Sequence, residues 1–322
     1  MKPLKNCRVF VSANSYGKYN QVLKDELEQL VGEVVYNTTG KPLSSEQVKA
    51  FLPGIDGYIA GLDQIDQHAL QAADSLKIIA RYGVGVDQVD LEAAREKGII
   101  ISNTPGANSA SVAELALGML LMLARQIPVA TSAIHKGEWP RLPGLTLEGK
   151  TVGILGLGAI GKHFARRLVN FDCRLIAYDP YADEAFARLH NIGLVPLDEL
   201  VAQSDFISLH LPLLPETRGM VNDAFIQSMK QGSFLINTSR GELIEEAALV
   251  KGLGTGHLQG AGLDAFIKEP PDPDNPLLSF PQVICTPHLG AQTDGATNNM
   301  GRMALDECLR VLRGEQPLYQ VN

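Results

Sequence analysis

At 322 residues with 45% hydrophobic side chains, the chain has enough length and apolar content for two packed domains. A formal net charge of -8, with lysines and arginines scattered along the chain, argues against nucleic acid or an anionic membrane surface as a partner. Cys7, Cys173, Cys285 and Cys308 lie far apart with no C-x-x-C pair, so neither a zinc site nor a disulfide framework is written here, no metal is expected, and a reducing cytoplasm fits.

The N-terminal "MKPLKNCRVFVSANS" carries too short an apolar run for a signal-peptide core, and nothing in it marks the chain for export. From there, strand-like runs alternate with amphipathic stretches, the signature of parallel α/β sheets. "RVFVSA", "EVVYN", "DGYIAG", "LKIIARYG" and "IIISNT" read as strands, with "NQVLKDELEQL" and "DLEAAREKG" among the helices between them. The most apolar stretch, Ser111 to Ile127, contains Glu114 and falls short of the about 20 apolar residues that span a bilayer, so a buried helix is expected. A second round follows: "KTVGILGLG", "RLIAYDP", "SDFISLHLP", "GSFLINTSRG" and "LQGAGLDAF". A last helix, "TDGATNNMGRMALDECLRVLRG", runs nearly to the end. The chain is therefore expected to leave a first domain near residue 103, build a second, and return near 289.

The second round opens with G-x-G-x-x-G at Gly156, Gly158 and Gly161, directly after a strand and before a helix. Gly156 permits a tight turn, Gly158 lets the backbone approach a pyrophosphate, and Gly161 lets helix and strand pack closely. Asp179, at the end of the next strand and about 20 residues on, suits the ribose hydroxyls and repels a 2'-phosphate, which favours NAD over NADP. Its ordinary reading is a turn residue before Pro180.

Other strand ends of this round carry Arg240 in "NTSRG", Glu269 in "LDAFIKEPP" and, a little further on, His288 in "TPHLG". Singly, these read as a surface arginine, a turn glutamate and a structural histidine; together, at the edge where open α/β sheets bind ligands, they suggest chemistry. Asn103, Asn108 and Ser109 precede the apolar helix, where Asn108 is as readily an N-cap as a ligand. His210 lies near the expected cofactor but reads more readily as a structural hydrogen-bonding group than as a catalyst.

With "ARYGVGVDQVDLEAA", "NTPGANSASVAELALG", "GKTVGILGLGAIGK", "LHLPLLPETRGM", "INTSRGELI", "GLDAFIKEPP" and "CTPHLGAQT", the sequence resembles the D-isomer-specific 2-hydroxyacid dehydrogenases over nearly its whole length, most closely their phosphoglycerate-dehydrogenase-like branch. The resemblance implies an α/β fold of two doubly wound parallel-sheet domains. A flavodoxin-like substrate domain would take 1–102 and 290–322, and a Rossmann NAD domain 103–289. It implies catalytic Arg240, Glu269 and His288, and cofactor contacts from Ala159, Ile160, Leu211, Thr238, Ser239, Asp264 and Gly290 beside Gly156, Gly158, Gly161 and Asp179. A substrate loop would comprise Val84, Gly85 and Val86, with Arg81 at a phosphate-binding position. A homodimer is implied too, with Trp139 packing across it.

The expected chemistry is reversible hydride transfer between NAD and a small D-2-hydroxy acid, and its 2-oxo acid. His288 would be the acid and base, Glu269 would orient it and favour its charged form, and Arg240 would clamp the substrate. D-3-phosphoglycerate oxidation is the alternative, but Ala60 and nearby Asp63 stand where the branch carries a second basic side chain. An NADH-sensing binding protein without catalysis is a further alternative.

Overall fold

The computed structural model describes residues 2–322. They form two compact units, one ending at Asn108 and resumed at Ala291–Asn322, the other Ser109–Gly290. The first crossing comes later than the expected boundary after residue 102. The Asn103 N–H donates to Tyr319 O (3.2 Å) and the Thr104 N–H to Gly83 O (3.0 Å), which ties the intervening segment to the first unit. Gly290 stays with the second unit because its N–H donates to Asp264 (2.8 Å) and its carbonyl accepts from Ser111 Oγ (2.6 Å).

In the first unit, β1 (Arg8–Val11), β2 (Glu33–Tyr36), β3 (Gly57–Ala60), β4 (Ile78–Arg81) and β5 (Ile100–Ser102) form a parallel sheet in the order β2-β1-β3-β4-β5. This is the flavodoxin-like order, and it reverses direction between β1 and β3. Strand side chains alternate between two cores. Val9, Val11, Ile59, Ile78 and Ala80 pack with the helices Val22–Leu30 and Asp294–Leu312, while Phe10, Tyr58, Ala60, Ile79 and Ile101 pack on the other face. Both faces being buried explains why these strands read as near-continuous apolar runs. Gly57 is required by packing: a Cβ there would lie 2.7 Å from Cys308 Sγ on the last helix. The C-terminal tail covers the β5 edge, with Gln320 bridged antiparallel to Ser102 and the Val321 N–H donating to Ile101 O (2.9 Å).

The second unit holds β6 (Thr151–Leu155), β7 (Arg174–Tyr178), β8 (Gly193–Leu194), β9 (Phe206–Leu209), β10 (Ser233–Asn237), β11 (Leu258–Leu263) and β12 (Val283–Cys285). Their order is β12-β11-β10-β9-β6-β7-β8, all parallel, with the reversal between β6 and β9 that defines the Rossmann arrangement. β8, a two-residue edge strand, was not expected from the sequence, whereas the short edge strand β12 ends just before His288, where a strand end was expected. The apolar helix Ser109–Ala124 buries Ala113, Ala116, Leu120 and Leu123 in this unit's core, with Val152, Ile154 and Phe164. A 64° bend separates it from the helix Ile127–His135, and among the described residues no single helix is long and apolar enough to cross a membrane. Asn108 does not cap it, since its Oδ1 is buried without a hydrogen-bond partner.

Candidate active site

The carboxyl ends of the second unit's strands carry the densest set of polar anchors. After β6 the chain turns at Gly156 with φ +93°, and a Cβ there would strike His210 O at 2.4 Å. Gly161, in the first turn of the helix Ala159–Leu168, is equally constrained: its Cβ would lie 2.1 Å from Gly156 O. At Gly158 a Cβ would meet nothing within 4 Å, so this residue and exposed Ala159 leave an open face at the helix N-terminus, where backbone N–H groups attract an anion. Ile160 is half-buried beside it.

Asp179 fastens this loop. Its Oδ2 accepts from the Leu157 N–H (2.8 Å), while its Oδ1 accepts from the Tyr181 N–H (2.8 Å). Two backbone groups thus hold the carboxylate at the end of β7. Beyond β9, Leu211 is half-buried against the core and reaches Gly156, whose Cβ would lie 3.1 Å from Leu211 Cδ2. His210 is buried with Nε2 3.0 Å from Ser208 Oγ and its ring 5.0 Å from that of Phe164. Burial pulls its pKa down to about 3, so it is a neutral structural group at ordinary pH. Thr238 is buried with Oγ1 unpartnered, an unmet polar group of the kind a ligand satisfies. Together with the open glycine face and the acid at the end of β7, it fits a dinucleotide.

Three ionisable side chains lie beyond β10, β11 and β12. Asn237 braces the first: its Oδ1 accepts from the Ser239 N–H (3.0 Å) and its Nδ2 donates to Arg240 O (2.7 Å). Ser239 Oγ donates to Leu209 O (2.8 Å), and Arg240 Nη1 donates to Ser239 O (2.8 Å). The next residue, Gly241, abuts the following loop so closely that a Cβ would lie 2.1 Å from the Phe266 carbonyl carbon. In that loop Glu269 accepts from the Phe266 N–H (3.1 Å) and pairs with His288 Nδ1 at 2.8 Å. Burial alone would push the Glu269 carboxyl up, but the hydrogen bond and charge of His288, the Phe266 N–H and the charge of Arg240 bring it below the usual range. The two carboxylate-imidazole partners are about one-third exposed, accessible to a small molecule.

Asp264 works on this triad from below. It is buried at the end of β11; Oδ1 accepts from Thr286 Oγ1 (2.6 Å) and the Leu289 N–H (2.7 Å), and Oδ2 from the Gly290 N–H (2.8 Å). These bonds clamp both sides of His288, whose φ of +52° lies in the left-handed region that side chains seldom adopt. A Cβ at Gly290 would crowd Asp264 Oδ2 at 3.1 Å. The resemblance implies for Asp264 a cofactor contact only, and assigns no role to Thr286 or Asn237. Their roles depend on hydrogen bonds between strand ends distant in sequence, and a threonine before proline or an asparagine ending a strand was the faint signal.

In the first unit the expected substrate residues take a different form. Arg81 is 5% exposed, with Nη1 donating to Ala60 O (3.2 Å) and Tyr82 O (2.8 Å). Val84 is exposed, its carbonyl accepting from Asn103 Nδ2 (2.8 Å), and Gly85 and Val86 are half-buried behind it. Asp63 is no surface charge: it is buried and accepts from Leu43 N–H (2.7 Å), Tyr58 Oη (2.9 Å), Gly61 N–H (3.1 Å) and Ser12 Oγ. Ala60 is fully buried. The expectation that these two positions face a substrate is therefore corrected.

Residues 117–290 match the family model described as D-isomer specific 2-hydroxyacid dehydrogenase, NAD binding domain. The D-3-phosphoglycerate dehydrogenase of Methanocaldococcus jannaschii is 44% identical over 262 residues, covering 80% of this chain and 50% of that protein. The chain thus spans about half the length of the curated relatives it matches. Among solved structures, the TT0316 protein from Thermus thermophilus superposes with a TM-score of 0.87 at 36% identity, over 98% of this chain and 100% of that one. A glyoxylate reductase from Paecilomyes thermophila does so at 0.85 and 29%, over 98% of each chain.

Proposed function

We propose that this chain, which belongs to the D-isomer specific 2-hydroxyacid dehydrogenase family, interconverts a small D-2-hydroxy acid and its 2-oxo acid with NAD. The observation that carries the reading is the 2.8 Å pair between His288 Nδ1 and Glu269, with Arg240 on the neighbouring strand end. NAD supplies a hydride acceptor in one direction and, reduced, a hydride donor in the other. The protein must supply the proton. With Nδ1 committed to Glu269, the imidazole presents Nε2 to the substrate oxygen, giving its proton during reduction and taking one during oxidation. Glu269 fixes the ring and balances its charge. The planar guanidinium of Arg240 holds the substrate carboxylate and stabilises charge developing on the oxygen, an effect worth about 3 kcal/mol for one such donor.

A cytoplasmic location suits the four unpaired cysteines, and the 82% exposed indole of Trp139 supports a homodimer, which sedimentation would test. The activity test is direct. The full chain should oxidise NADH with a panel of 2-oxo acids, and His288→Gln should lower kcat at least about a hundredfold while NADH affinity, read by fluorescence, stays within about twofold. NADH binding with no turnover on any 2-oxo acid would overturn the enzyme reading in favour of a sensor.

A further inference from the structure

Resting on that activity, we infer that Asn237 is a positioning residue for Arg240, aiming its guanidinium by holding the main chain on either side of the peptide it rests on. Asn237 ends β10 and is fully buried. A buried amide side chain is costly unless its polar ends are bonded, and here both ends are bonded to the loop that follows.

The two bonds bracket one peptide group. At one end Oδ1 accepts from the Ser239 N–H (3.0 Å), and at the other Nδ2 donates to Arg240 O (2.7 Å). Between them lies the peptide joining Ser239 to Arg240, whose carbonyl, Ser239 O, accepts from Arg240 Nη1 (2.8 Å). The guanidinium therefore rests on a carbonyl whose two neighbouring peptides are fixed by a single side chain. The first bond is an ordinary turn after a strand. The second reaches one residue further and needs a donor beside the acceptor on one planar group: aspartate lacks the donor, and leucine lacks both.

Neighbouring contacts fix the rest of the loop. Ser239 Oγ donates to Leu209 O (2.8 Å), and the Leu243 N–H adds a looser bond to Arg240 O (3.3 Å). Beyond Arg240, Gly241 is jammed against the next loop, where a Cβ would lie 2.1 Å from the Phe266 carbonyl carbon and 2.3 Å from the Ile267 nitrogen. The main chain of Asn237 is engaged as well, its carbonyl accepting from the Asp264 N–H (2.9 Å). Replacing the side chain leaves that bond in place, and with it the Asp264 clamp around His288. The effect of such a replacement should thus fall on Arg240.

The test uses the full chain and two substitutions. Asn237→Ser keeps an uncharged acceptor for the Ser239 N–H and loses the donor; Asn237→Asp keeps the shape and the acceptor and loses the donor too. Single turnovers of bound NADH by a 2-oxo acid, at high enzyme concentration, keep slow variants measurable. We expect each variant to reduce the 2-oxo acid about tenfold more slowly, with NADH affinity by fluorescence within about twofold of wild type. In an Arg240→Ala background the same substitutions should cost less than about twofold, because the group they aim is gone. An undiminished loss in that background, a rate within about twofold of wild type when Arg240 is present, or loss of NADH binding would overturn this inference and leave the dehydrogenase reading standing. A wild-type chain inert on every 2-oxo acid would instead overturn that reading.

Discussion

At the residue scale, Glu269 shows how a half-buried carboxylate can be kept ionised. Its carboxyl is depressed despite burial because His288, the Phe266 N–H and Arg240 all favour the charged form. A depressed native value stabilises the fold above the unfolded value near about 4.3, and that stability disappears as pH falls through the native one. Wild type should therefore exceed Glu269→Gln in denaturant midpoint at pH 7, with the difference shrinking below about pH 4. A constant difference would assign the loss to packing alone. Arg240, Glu269 and His288 were all legible as residue types at strand ends. The clamp by Asp264 was not, since nothing local in "TPHLG" says which carboxylate receives Thr286 Oγ1 and two backbone N–H groups. Thr286→Val removes one of those bonds, whereas Thr286→Ser keeps it. We expect Val to lower kcat about tenfold with little change in NADH affinity, and Ser to restore most of the loss. Equal loss in both variants would assign Thr286 to packing through its methyl group.

At the scale of elements, the glycine turn and the strand end beside it form one device. The spacing of Gly156, Gly158 and Gly161 was readable; Gly156 and Gly161 are each sterically required, whereas Gly158 lies on an open face. What the spacing concealed is that Asp179 already binds the Leu157 N–H inside the turn and the Tyr181 N–H beyond it. Removing the carboxylate should therefore do more than relax discrimination against a 2'-phosphate; it should loosen the turn. Asp179→Ala is expected to weaken NADH at least about tenfold in a fluorescence titration, and to narrow its advantage over NADPH. Unchanged NADH affinity would mean that the turn holds itself without Asp179. Edges were harder to read than centres. β8 has two residues, both exposed, and β12 three, all half-buried, so neither carries the apolar run that betrays an interior strand.

At the scale of the molecule, the chain's course joins sequence-distant pieces. The last helix buries Met300, Ala304, Leu305 and Cys308 with Val9 and Val11 of β1, so the first unit's core is complete only when both ends of the chain are present. The second unit lies between those pieces and has its own two cores, on the two faces of its sheet. A ligand that binds one folded unit stabilises that unit by mass action, about 2.7 kcal/mol at a hundred times its dissociation constant. If the units open independently, saturating NADH should slow amide hydrogen exchange through the core strands β6, β7, β9 and β10. Exchange in β1, β3 and the helix Asp294–Leu312 should then change little. Equal slowing in both sets would show that the two units open as one cooperative body. Slowing confined to the first unit would place the dinucleotide on the wrong sheet, and with it the glycine turn, Asp179 and Thr238.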